Sequence, residues 1–372
     1  MKFSTTKPEL QTALQKLSKA TPTRSTLPIL NYVLFSVEES ETTLITTDLE
    51  ITIVVKLAVS AEETGSATLP LQTLLDVTNE LPDDTRITIE VGDKNKTKIK
   101  TEIGAYDISG KPAEEFPAAP QLDNEQEINI SAESFSDLIQ KTSFAVSRDD
   151  LKPALTGVLF RFNKDEITAV ATDGHRLVKY LKKNKNDVSY SGDIIVPKKF
   201  LKLAANVLPG EKEATVCTGK THLKMAIGGD TYYTRIIGER FPDFDSVIPK
   251  DNEKELVVNR KNLLSAVRRV SIFSNRSTQQ IALVLTKEKQ QITTEDPEKS
   301  SRAKENIEGK YSGEELTIGY NAAYLKDVLS HIPSDQVVVK LNSSISAALF
   351  YPEKQEGGSE LTTLLMPIRL NE

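Results

Sequence analysis

The chain has 372 residues, of which 38% are hydrophobic and 27% are charged, with 47 basic against 53 acidic side chains. This composition is typical of a globular protein, and a single cysteine, Cys217, excludes an intrachain disulfide framework and a cysteine-based zinc cluster. The first residues lack the apolar run of a signal peptide, and no segment approaches about 18 consecutive apolar residues. We therefore expect a cytoplasmic protein without a membrane span, divided into roughly two to four domains.

A domain-sized internal repeat narrows this number to three. Five residues recur 125 positions later in the chain, because Pro28, Leu34, Phe35, Thr47 and Asp48 match Pro153, Leu159, Phe160, Thr172 and Asp173. A fainter third copy covers residues 281–306, where Glu295, Asp296 and Pro297 stand 123 positions after Thr172, Asp173 and Gly174. The repeat predicts three similar domains, at residues 1–122, 128–249 and 253–372.

Each predicted domain has the same order of elements. An amphipathic helix comes first, with apolar residues at i, i+3, i+4 and i+7, in the windows 7–20, 131–147 and 259–270. Alternating β-branched residues then indicate antiparallel strands. A second helix follows in the windows 70–81, 197–208 and 321–332, and hairpin-like stretches come after it at 86–103, 214–227 and 337–350. This order predicts an α+β fold with two helices and antiparallel sheet in every domain.

Positive charge is concentrated on the predicted helices. The six helical windows together carry a net charge of +6, so the rest of the chain carries −12. A lysine-rich helix is usually a solvated outer face, but three such helices in an otherwise acidic chain favour a surface that meets a polyanion. The candidates for DNA-facing residues on these helices are Lys198, Lys199, Lys202, Arg260, Arg268 and Arg269. Because no base-reading motif is present, we expect sequence-independent contacts to phosphates.

One motif could carry chemistry. Asp173 and His175 in Thr-Asp-Gly-His-Arg could form an acid–base pair, which would make the protein a repeat-built hydrolase. Asp-Gly also forms turns, and the first repeat keeps Thr47-Asp48 without the following Gly and His. Nucleotide-binding, zinc-protease and serine-hydrolase motifs are absent. An enzyme is therefore not expected, and a peptide-binding scaffold that acts without DNA is a third alternative.

The C-terminal segment 364–370, Leu-Leu-Met-Pro-Ile-Arg-Leu, is unusually apolar. It could simply be a last strand. Adjacent Met366 and Pro367 also suit the wall of an adaptable apolar pocket, because methionine side chains repack around different ligands.

Six motifs along the whole chain resemble the bacterial replicative sliding clamp family, the β subunit of DNA polymerase III. They are TLPIL at 26–30, TDLE at 47–50, VATDGHRL at 170–177, RFPDF at 240–244, YSGEELTIGYN at 311–321 and MPIRL at 366–370. The resemblance implies three DNA-clamp domains per chain and a head-to-tail homodimeric ring around double-stranded DNA. It also implies a non-catalytic processivity factor without cofactor or metal, loaded by an ATP-dependent clamp loader.

The resemblance also implies site residues. A hydrophobic pocket would bind peptides of the DNA polymerase III α subunit, other polymerases, the clamp loader δ subunit, and mismatch-repair and ligase-type proteins. Its residues here are Leu155, Thr172, Gly174, His175, Arg176, Leu177, Pro242, Val247, Ser346, Leu364, Met366, Pro367, Ile368 and Arg369. Arg24 matches a DNA-facing position, and the dimer contact would set Tyr106 and Ile108 opposite Ile272 and Phe273.

The chain departs from the family pattern in two places. Pro153-Ala154 stands where the family carries aromatic residues in a DNA-touching loop, which puts that contact in doubt. Asn371 and Glu372 extend past the usual end of the chain, next to the predicted pocket.

Overall fold

The computed structural model describes residues 1–22, 25–183, 190–211 and 213–370. Within these ranges the chain forms six α-helices: α1 (Lys7–Leu17), α2 (Leu71–Glu80), α3 (Ala132–Thr142), α4 (Lys198–Val207), α5 (Arg260–Val270) and α6 (Ala322–His331). Each helix lies in one of the six windows that apolar periodicity and proline signals predicted. Two helix starts are capped by asparagine side chains, because Asn259 accepts from the Asn262 amide and Asn321 from the Ala323 amide.

The described residues also form twenty-six strands. In chain order they are β1 (Lys2–Thr6), β2 (Tyr32–Val37), β3 (Thr42–Thr47), β4 (Ile51–Lys56), β5 (Ser60–Glu63), β6 (Gly65–Pro70), β7 (Arg86–Val91), β8 (Lys96–Lys100), β9 (Ala105–Ser109), β10 (Gln126–Ile128), β11 (Gly157–Phe162), β12 (Glu166–Thr172), β13 (Arg176–Lys183), β14 (Gly192–Pro197), β15 (Thr215–Thr218), β16 (His222–Ile227), β17 (Asp230–Arg235), β18 (Lys254–Asn259), β19 (Gln280–Leu285), β20 (Gln290–Asp296), β21 (Ser301–Ile307), β22 (Gly309–Ser312), β23 (Leu316–Asn321), β24 (Gln336–Leu341), β25 (Ala348–Pro352) and β26 (Ser359–Leu365). The pairings among them are antiparallel, which confirms the predicted α+β class.

The chain packs as two compact units. The first comprises Met1–Glu133 and Asn206–Ile236. Its described strands form a five-stranded sheet in the order β5-β1-β7-β8-β9 and an eight-stranded sheet in the order β10-β15-β16-β17-β4-β3-β2-β6. In the larger sheet β17 pairs with β4, so strands of the first and second repeats share one sheet.

The second unit comprises Ser134–Ala205 and Ile237–Glu372. Its described strands form a nine-stranded sheet in the order β14-β11-β12-β13-β26-β25-β24-β18-β22 and a four-stranded sheet in the order β21-β20-β19-β23. Here β13 pairs with β26, which joins the second repeat to the third. The units thus cut across the middle repeat, and the boundaries 1–122, 128–249 and 253–372 stay a prediction.

The last repeat illustrates why the amphipathic windows become helices. On α5 the apolar stripe Leu263, Val267 and Val270 is completely buried, in a core that also takes Leu325 and Leu329 of α6. Burying such side chains contributes about 1.5–3 kcal/mol each, far more than helix propensity does.

Two hairpins differ from their predictions. The strand expected to reach residue 103 ends at Lys100, and the chain turns back into β9, which the sequence did not indicate. In the second repeat the predicted hairpin of β15 and β16 is followed by a third strand, β17, which the sequence did not indicate either. Strand β9 is short, and its alternation rests on only two residues, the half-buried Tyr106 and Ile108, which is too short a pattern to predict a strand.

Candidate functional site

The predicted acid–base motif is a hydrogen-bonded turn, and the same turn occurs in the first two repeats. The Asp173 Oδ1 atom accepts hydrogen bonds from the backbone amides of His175 and Arg176, at 2.9 and 3.0 Å. The Oδ1 atom of Asp48 accepts from the amides two and three residues further on, at 3.0 and 2.8 Å. The aspartate that recurs in the first two repeats therefore shapes the chain reversal between two strands.

The residue after this aspartate adopts a left-handed conformation. Gly174 has φ +88°, and Leu49 occupies the corresponding place in the first repeat with φ +74°. Glycine reaches this conformation without a steric penalty. The turn leaves His175 exposed, and its ring stacks on that of Tyr324 with 5.5 Å between the ring centroids.

The pairing of β13 with β26 brings predicted pocket residues from two repeats together. Leu177 lies directly opposite Leu364 in the register. Both belong to a buried apolar cluster, against which residues of the segment 241–248 also pack. We call this group the seam cluster; its buried members are Leu159, Val170, Leu177, Ile195, Phe244, Ala347, Leu349 and Leu364.

The C-terminal tail continues from β26 across the second unit. The Met366 amide donates to the His175 carbonyl at 2.8 Å, and the Ile368 amide donates to the Gly319 carbonyl at 2.9 Å. These two bonds place the tail between the Asp-Gly-His turn and β23. Gly319 permits the close approach, because a Cβ atom there would lie 2.6 Å from the Ile368 carbonyl oxygen and 2.7 Å from the Leu370 Cδ2 atom.

Replacing Gly319 by valine is expected to release the tail. The new side chain cannot coexist with the Ile368 carbonyl, so the tail must move and its amide bonds to β23 and the turn open. Hydrogen–deuterium exchange at Met366 and Ile368 should accelerate by about tenfold or more, while core amides keep their protection. The control is Gly357→Val, where the added Cβ meets no atom within 4 Å. Unchanged exchange at both tail amides would contradict the role given to Gly319.

The predicted pocket residues all lie in the second unit but differ in exposure. Val247 is 55% exposed and Met366 is 43% exposed, which is unusual for large apolar side chains. Gly174, His175, Pro242 and Arg369 are exposed, Leu155, Ser346, Pro367 and Ile368 are half-buried, and Thr172, Arg176, Leu177 and Leu364 are buried. The structure thus provides an apolar floor with accessible apolar groups at its rim.

Arg176 differs from the pocket wall that the resemblance implies. Its guanidinium donates to Asp173 at 3.1 Å, to Asp327 at 2.7 Å and to the Phe144 carbonyl at 3.0 Å. It also lies 4.9 Å from the ring centroid of Tyr324. Because side chains alternate along a strand, Arg176 points to the helix-bearing face of β13, whereas Leu177 faces the seam cluster. Arg176 is therefore a positioning residue that holds the turn from behind.

A cavity of about 460 Å³ lies on this helix-bearing side. Its lining carries both charges, the positive from Arg148, Lys152, Arg176 and Lys198 and the negative from Asp149, Asp173 and Asp327. Partial burial, followed by the nearby Arg148 and Arg176 guanidinium groups, lowers the pKa of Lys198. Sequence reasoning missed Arg148, Phe144, Tyr324 and Asp327, since nothing in their local sequence distinguishes them from ordinary helix and loop residues.

Two exposed helix faces carry the remaining predicted cations. On α4, Lys199 and Lys202 are exposed on the side opposite the buried Phe200 and Leu201. On α5, Arg268 is exposed, whereas Leu264 and Val267 are buried. Both faces could therefore meet phosphates.

Arg260 and Arg269, which are also predicted to face DNA, form bonds to other parts of the chain. The Arg260 guanidinium donates to the carbonyls of Ser334 and Leu329 at 2.9 and 3.1 Å, so it caps the end of α6. Arg269 forms a two-bond ion pair with Glu305 of β21, at 2.9 and 2.7 Å. Sequence windows cannot reveal such pairs, because the partners come from other elements. Predicted DNA-facing Arg24 lies outside the described residues.

Similar pairing reduces the charge counted on α1. Lys7 binds Asp83 at 2.8 Å and Lys16 binds Asp230 at 2.6 Å, both within the first unit. The hydrogen bond and charge of Lys7 lower the pKa of Asp83. The net charge of a helical window therefore overstates the positive charge that α1 presents to a ligand.

The predicted dimer-contact residues lie at sheet edges and on an exposed helical turn. Tyr106 and Ile108 are half-buried on β9, the outermost strand of the five-stranded sheet in the described chain. Ile272 is 77% exposed and Phe273 is 44% exposed, directly after α5. An open strand edge such as that of β9 can pair with a strand of another chain.

The lone thiol is chemically protected. Burial and then the neighbouring Glu125 raise the pKa of Cys217 to about 12. On the order of one thiol in 10⁴ is then ionised at pH 8, against about a quarter for an ordinary cysteine. We expect iodoacetamide to label the native protein at least a hundredfold more slowly than the urea-unfolded protein, measured by mass spectrometry. Equal rates would contradict this burial.

The described residues contain neither a membrane-spanning helix nor a metal-binding group of side chains. None of their helices combines the length and hydrophobicity needed to cross a bilayer. The same part of the chain contains no group of three or more His, Cys, Asp or Glu side chains arranged to hold a metal ion.

Comparison with known proteins decides the family. Models of the N-terminal, central and C-terminal domains of the DNA polymerase III β subunit match residues 1–120, 129–243 and 245–369. A "Beta sliding clamp" of Pseudomonas putida is 32% identical over 372 residues, covering all of both chains. This chain belongs to the bacterial DNA polymerase III β-subunit family of sliding clamps. It is therefore a replication clamp by family, and that family consists of non-catalytic processivity factors.

Other clamps show the same similarity along their entire length. The "Beta sliding clamp" of Escherichia coli K12 is 29% identical over 373 residues, covering all of both chains. A DnaN sliding clamp from Pseudomonas aeruginosa bound to griselimycin is 31% identical, with a TM-score of 0.91 and full coverage of both chains. A griselimycin-bound clamp from Bartonella birtlesii is 27% identical, with a TM-score of 0.92 and the same coverage. The similarity confirms the predicted clamp fold.

Proposed function

We propose that this chain works as a homodimeric ring that encircles duplex DNA without reading its sequence and tethers polymerases through an apolar peptide pocket. The observation that carries the proposal is the seam cluster, together with the exposed Val247 and Met366, which directly precede or follow residues packed in the second unit's core, Ile248 and Leu365. This accessible apolar surface occurs in a chain that matches sliding clamps from end to end. Monomeric proteins rarely expose such a patch without a binding function.

The pocket binds short apolar peptide segments. Two or three anchor side chains would each gain about 1.5–3 kcal/mol on burial, before the cost of ordering the peptide. The resulting dissociation constant is roughly micromolar at best, which suits exchange between partners. These partners are the polymerase III α subunit, other polymerases, the δ subunit of an ATP-dependent clamp loader, and mismatch-repair and ligase-type proteins. Griselimycin is bound to two relatives, and we expect it to bind this chain as well, in competition with partner peptides.

The DNA contact rests on exposed cations of α4 and α5. Lys199, Lys202 and Arg268 offer positive charge, while the chain as a whole carries a net charge of −6. Attraction to phosphates is then local, and the acidic remainder repels DNA from other surfaces. Retention comes from encirclement, so the affinity of each phosphate contact can be low and the ring can slide.

The ring closes through two identical head-to-tail contacts. Each joins the edge strand β9, carrying Tyr106 and Ile108, to the region of Ile272 and Phe273 in the partner. A heterologous contact of this kind makes a closed ring when its rotation closes. Strand β21 is also an edge strand in the described chain, so backbone pairing between β9 and β21 of two protomers would extend both sheets.

Retention on circular DNA tests encirclement. The protein is loaded onto nicked circular DNA with a clamp loader, separated from free protein, and the DNA is then cut at one site. Release after linearisation at constant salt is expected, because a ring slides off free ends. Binding that survives linearisation but falls with salt would indicate ordinary electrostatic attachment. Peptide binding without any retention on DNA would favour a scaffold that acts without DNA.

A hydrolase based on Asp173 and His175 is the alternative from the enzyme class. Both oxygens of the Asp173 carboxylate are engaged, Oδ1 by two backbone amides and Oδ2 by Arg176. His175 stacks on Tyr324 instead of bonding this carboxylate. The arrangement favours a structural turn. If an esterase or phosphatase turnover existed and His175→Ala abolished it, the clamp proposal would need revision.

A further inference from the structure

A second cavity lies along the seam cluster beyond the predicted pocket. Its volume is about 350 Å³. Strands β13, β25 and β26 and the segment 245–250 line it, through Lys179, Leu181, Asp245, Ile248, Lys250, Tyr351, Glu360 and Thr362. None of these residues belongs to the pocket that the resemblance implies.

The strand register makes this cavity continuous with the predicted pocket. Leu177 pairs with Leu364, and two residues further along the same face Lys179 pairs with Thr362. The next pair on that face, Leu181 with Glu360, lines the far end of the cavity.

The floors of the two sites are also shared. Ile248 and Tyr351 line the second cavity, and both pack against the seam cluster that contains Leu177 and Leu364. Asp245 and Val247 belong to one short helical turn, with Asp245 lining the cavity and Val247 at the predicted pocket. The two sites thus form one groove along β13 and β26, in which Lys179 stands between Leu177 and Leu181 and binds Asp245 of this turn.

The charges around the cavity cancel. Lys179 is paired with Asp245 at 2.7 Å, and Lys250 and Glu360 carry opposite charges on the rim. Burial and then Glu360 raise the pKa of Tyr351, so its hydroxyl stays neutral. A lining with no net charge offers no preference for a phosphate or another anion. Its apolar floor of Leu181, Ile248 and Tyr351 suits an uncharged apolar side chain.

We propose that this second cavity takes an apolar side chain from the segment that flanks the anchor residues of a partner peptide. The proposal rests on the proposed peptide pocket and adds a subsite to it. Leu181 lies four residues beyond Leu177 on the same strand, which is about 13 Å along the groove. A partner segment in extended conformation spans this distance with about four residues. Residues flanking the anchors would therefore contribute to affinity and to discrimination between partners.

The test compares capped synthetic peptides by isothermal titration calorimetry on the full-length protein. The core peptide, acetyl-Ser-Leu-Ser-Leu-Phe-amide, carries three apolar anchors. Two extended peptides add three serines and a terminal leucine, one at each end, and matched peptides end in alanine instead. The leucine extension at one end is expected to bind about tenfold more tightly than its alanine counterpart. Equal affinity of the leucine and alanine peptides at both ends would overturn the proposal.

Variants assign the gain to the cavity. Leu181→Lys places a charge on its floor, so the tenfold gain should disappear while the core peptide still binds as before. The control is Leu151→Lys, the same exchange at a leucine that is 90% exposed and does not line the cavity. A gain that survives Leu181→Lys would overturn the proposal. Failure of the core peptide to bind, or to compete with griselimycin, would overturn the pocket itself and this subsite with it.

Discussion

Replacing Ile272 and Phe273 together by aspartate is expected to convert the proposed dimer into monomers at micromolar concentration. These side chains are 77% and 44% exposed in the single chain, so a partner surface has apolar area to cover. Burying each gives about 1.5–3 kcal/mol, which amounts to roughly 6–12 kcal/mol for two contacts per ring. The dissociation constant should rise by on the order of 10⁴ or more, because each 1.4 kcal/mol is tenfold. Analytical ultracentrifugation measures it.

A matched variant separates this effect from general loss of surface hydrophobicity. Leu151 and Ile345 are 90% and 70% exposed but lie outside the predicted contact. Their double replacement by aspartate should leave the dimer intact. The monomeric variant should also fail to stay on nicked circular DNA after loading. A variant at 272 and 273 that dimerises as tightly as the native chain would exclude this surface as the contact.

Replacing Arg176 by alanine is expected to destabilise the second unit by about 3–5 kcal/mol. The side chain is only 8% exposed and makes ion pairs with Asp173 and Asp327, together with a bond to the Phe144 carbonyl. Removing the buried guanidinium leaves Asp173, which is only 13% exposed, without its ion-pair partner, and that is the main source of the cost. Lysine should not restore stability, because one ammonium group cannot reproduce the forked, stacked geometry of the guanidinium. Urea unfolding, followed by circular dichroism, measures the change.

The control for this prediction is another arginine ion pair in the same unit. Arg161 binds Asp193 through two hydrogen bonds of 2.9 Å, but the two side chains are 38% and 46% exposed. Exposed pairs contribute about 0–1 kcal/mol, so Arg161→Ala should cost far less than Arg176→Ala. If the two variants lost the same free energy of unfolding, burial of Arg176 would add nothing to the stability that its ion pairs provide. Arg176→Ala should also weaken peptide binding, because the turn that presents His175 loses its support.

Local sequence was sufficient for the elements and for the repeat. Apolar spacing located the first helix of each repeat, and Pro70, Pro197 and Asn321 marked the start of the second to within about a residue. The recurring Thr-Asp pair likewise indicated a turn, which Asp48 and Asp173 form through the same amide bonds. Strand β9 escaped prediction because its alternation is limited to two half-buried residues, Tyr106 and Ile108.

The candidate site was located partly by residues and partly by resemblance. Sequence reasoning singled out Met366 and Pro367 as an apolar wall, and Met366 is indeed exposed, directly after β26. The sequence could not show which of the two neighbours Arg176 and Leu177 faces the predicted pocket and which faces away from it. That assignment needs the partner strand, and β26 comes from a distant part of the chain.

What the sequence by itself determined, then, is the α+β class, the threefold repeat and the helix positions, because each depends on neighbours within a few residues or on recurrence along the chain. Tertiary structure alone decided that Arg260 caps α6, that Lys16 is paired with Asp230, and that β13 lies against β26. Ion pairs and strand partners form between segments far apart in sequence. Their choice depends on the packing of the whole core, which no local window contains.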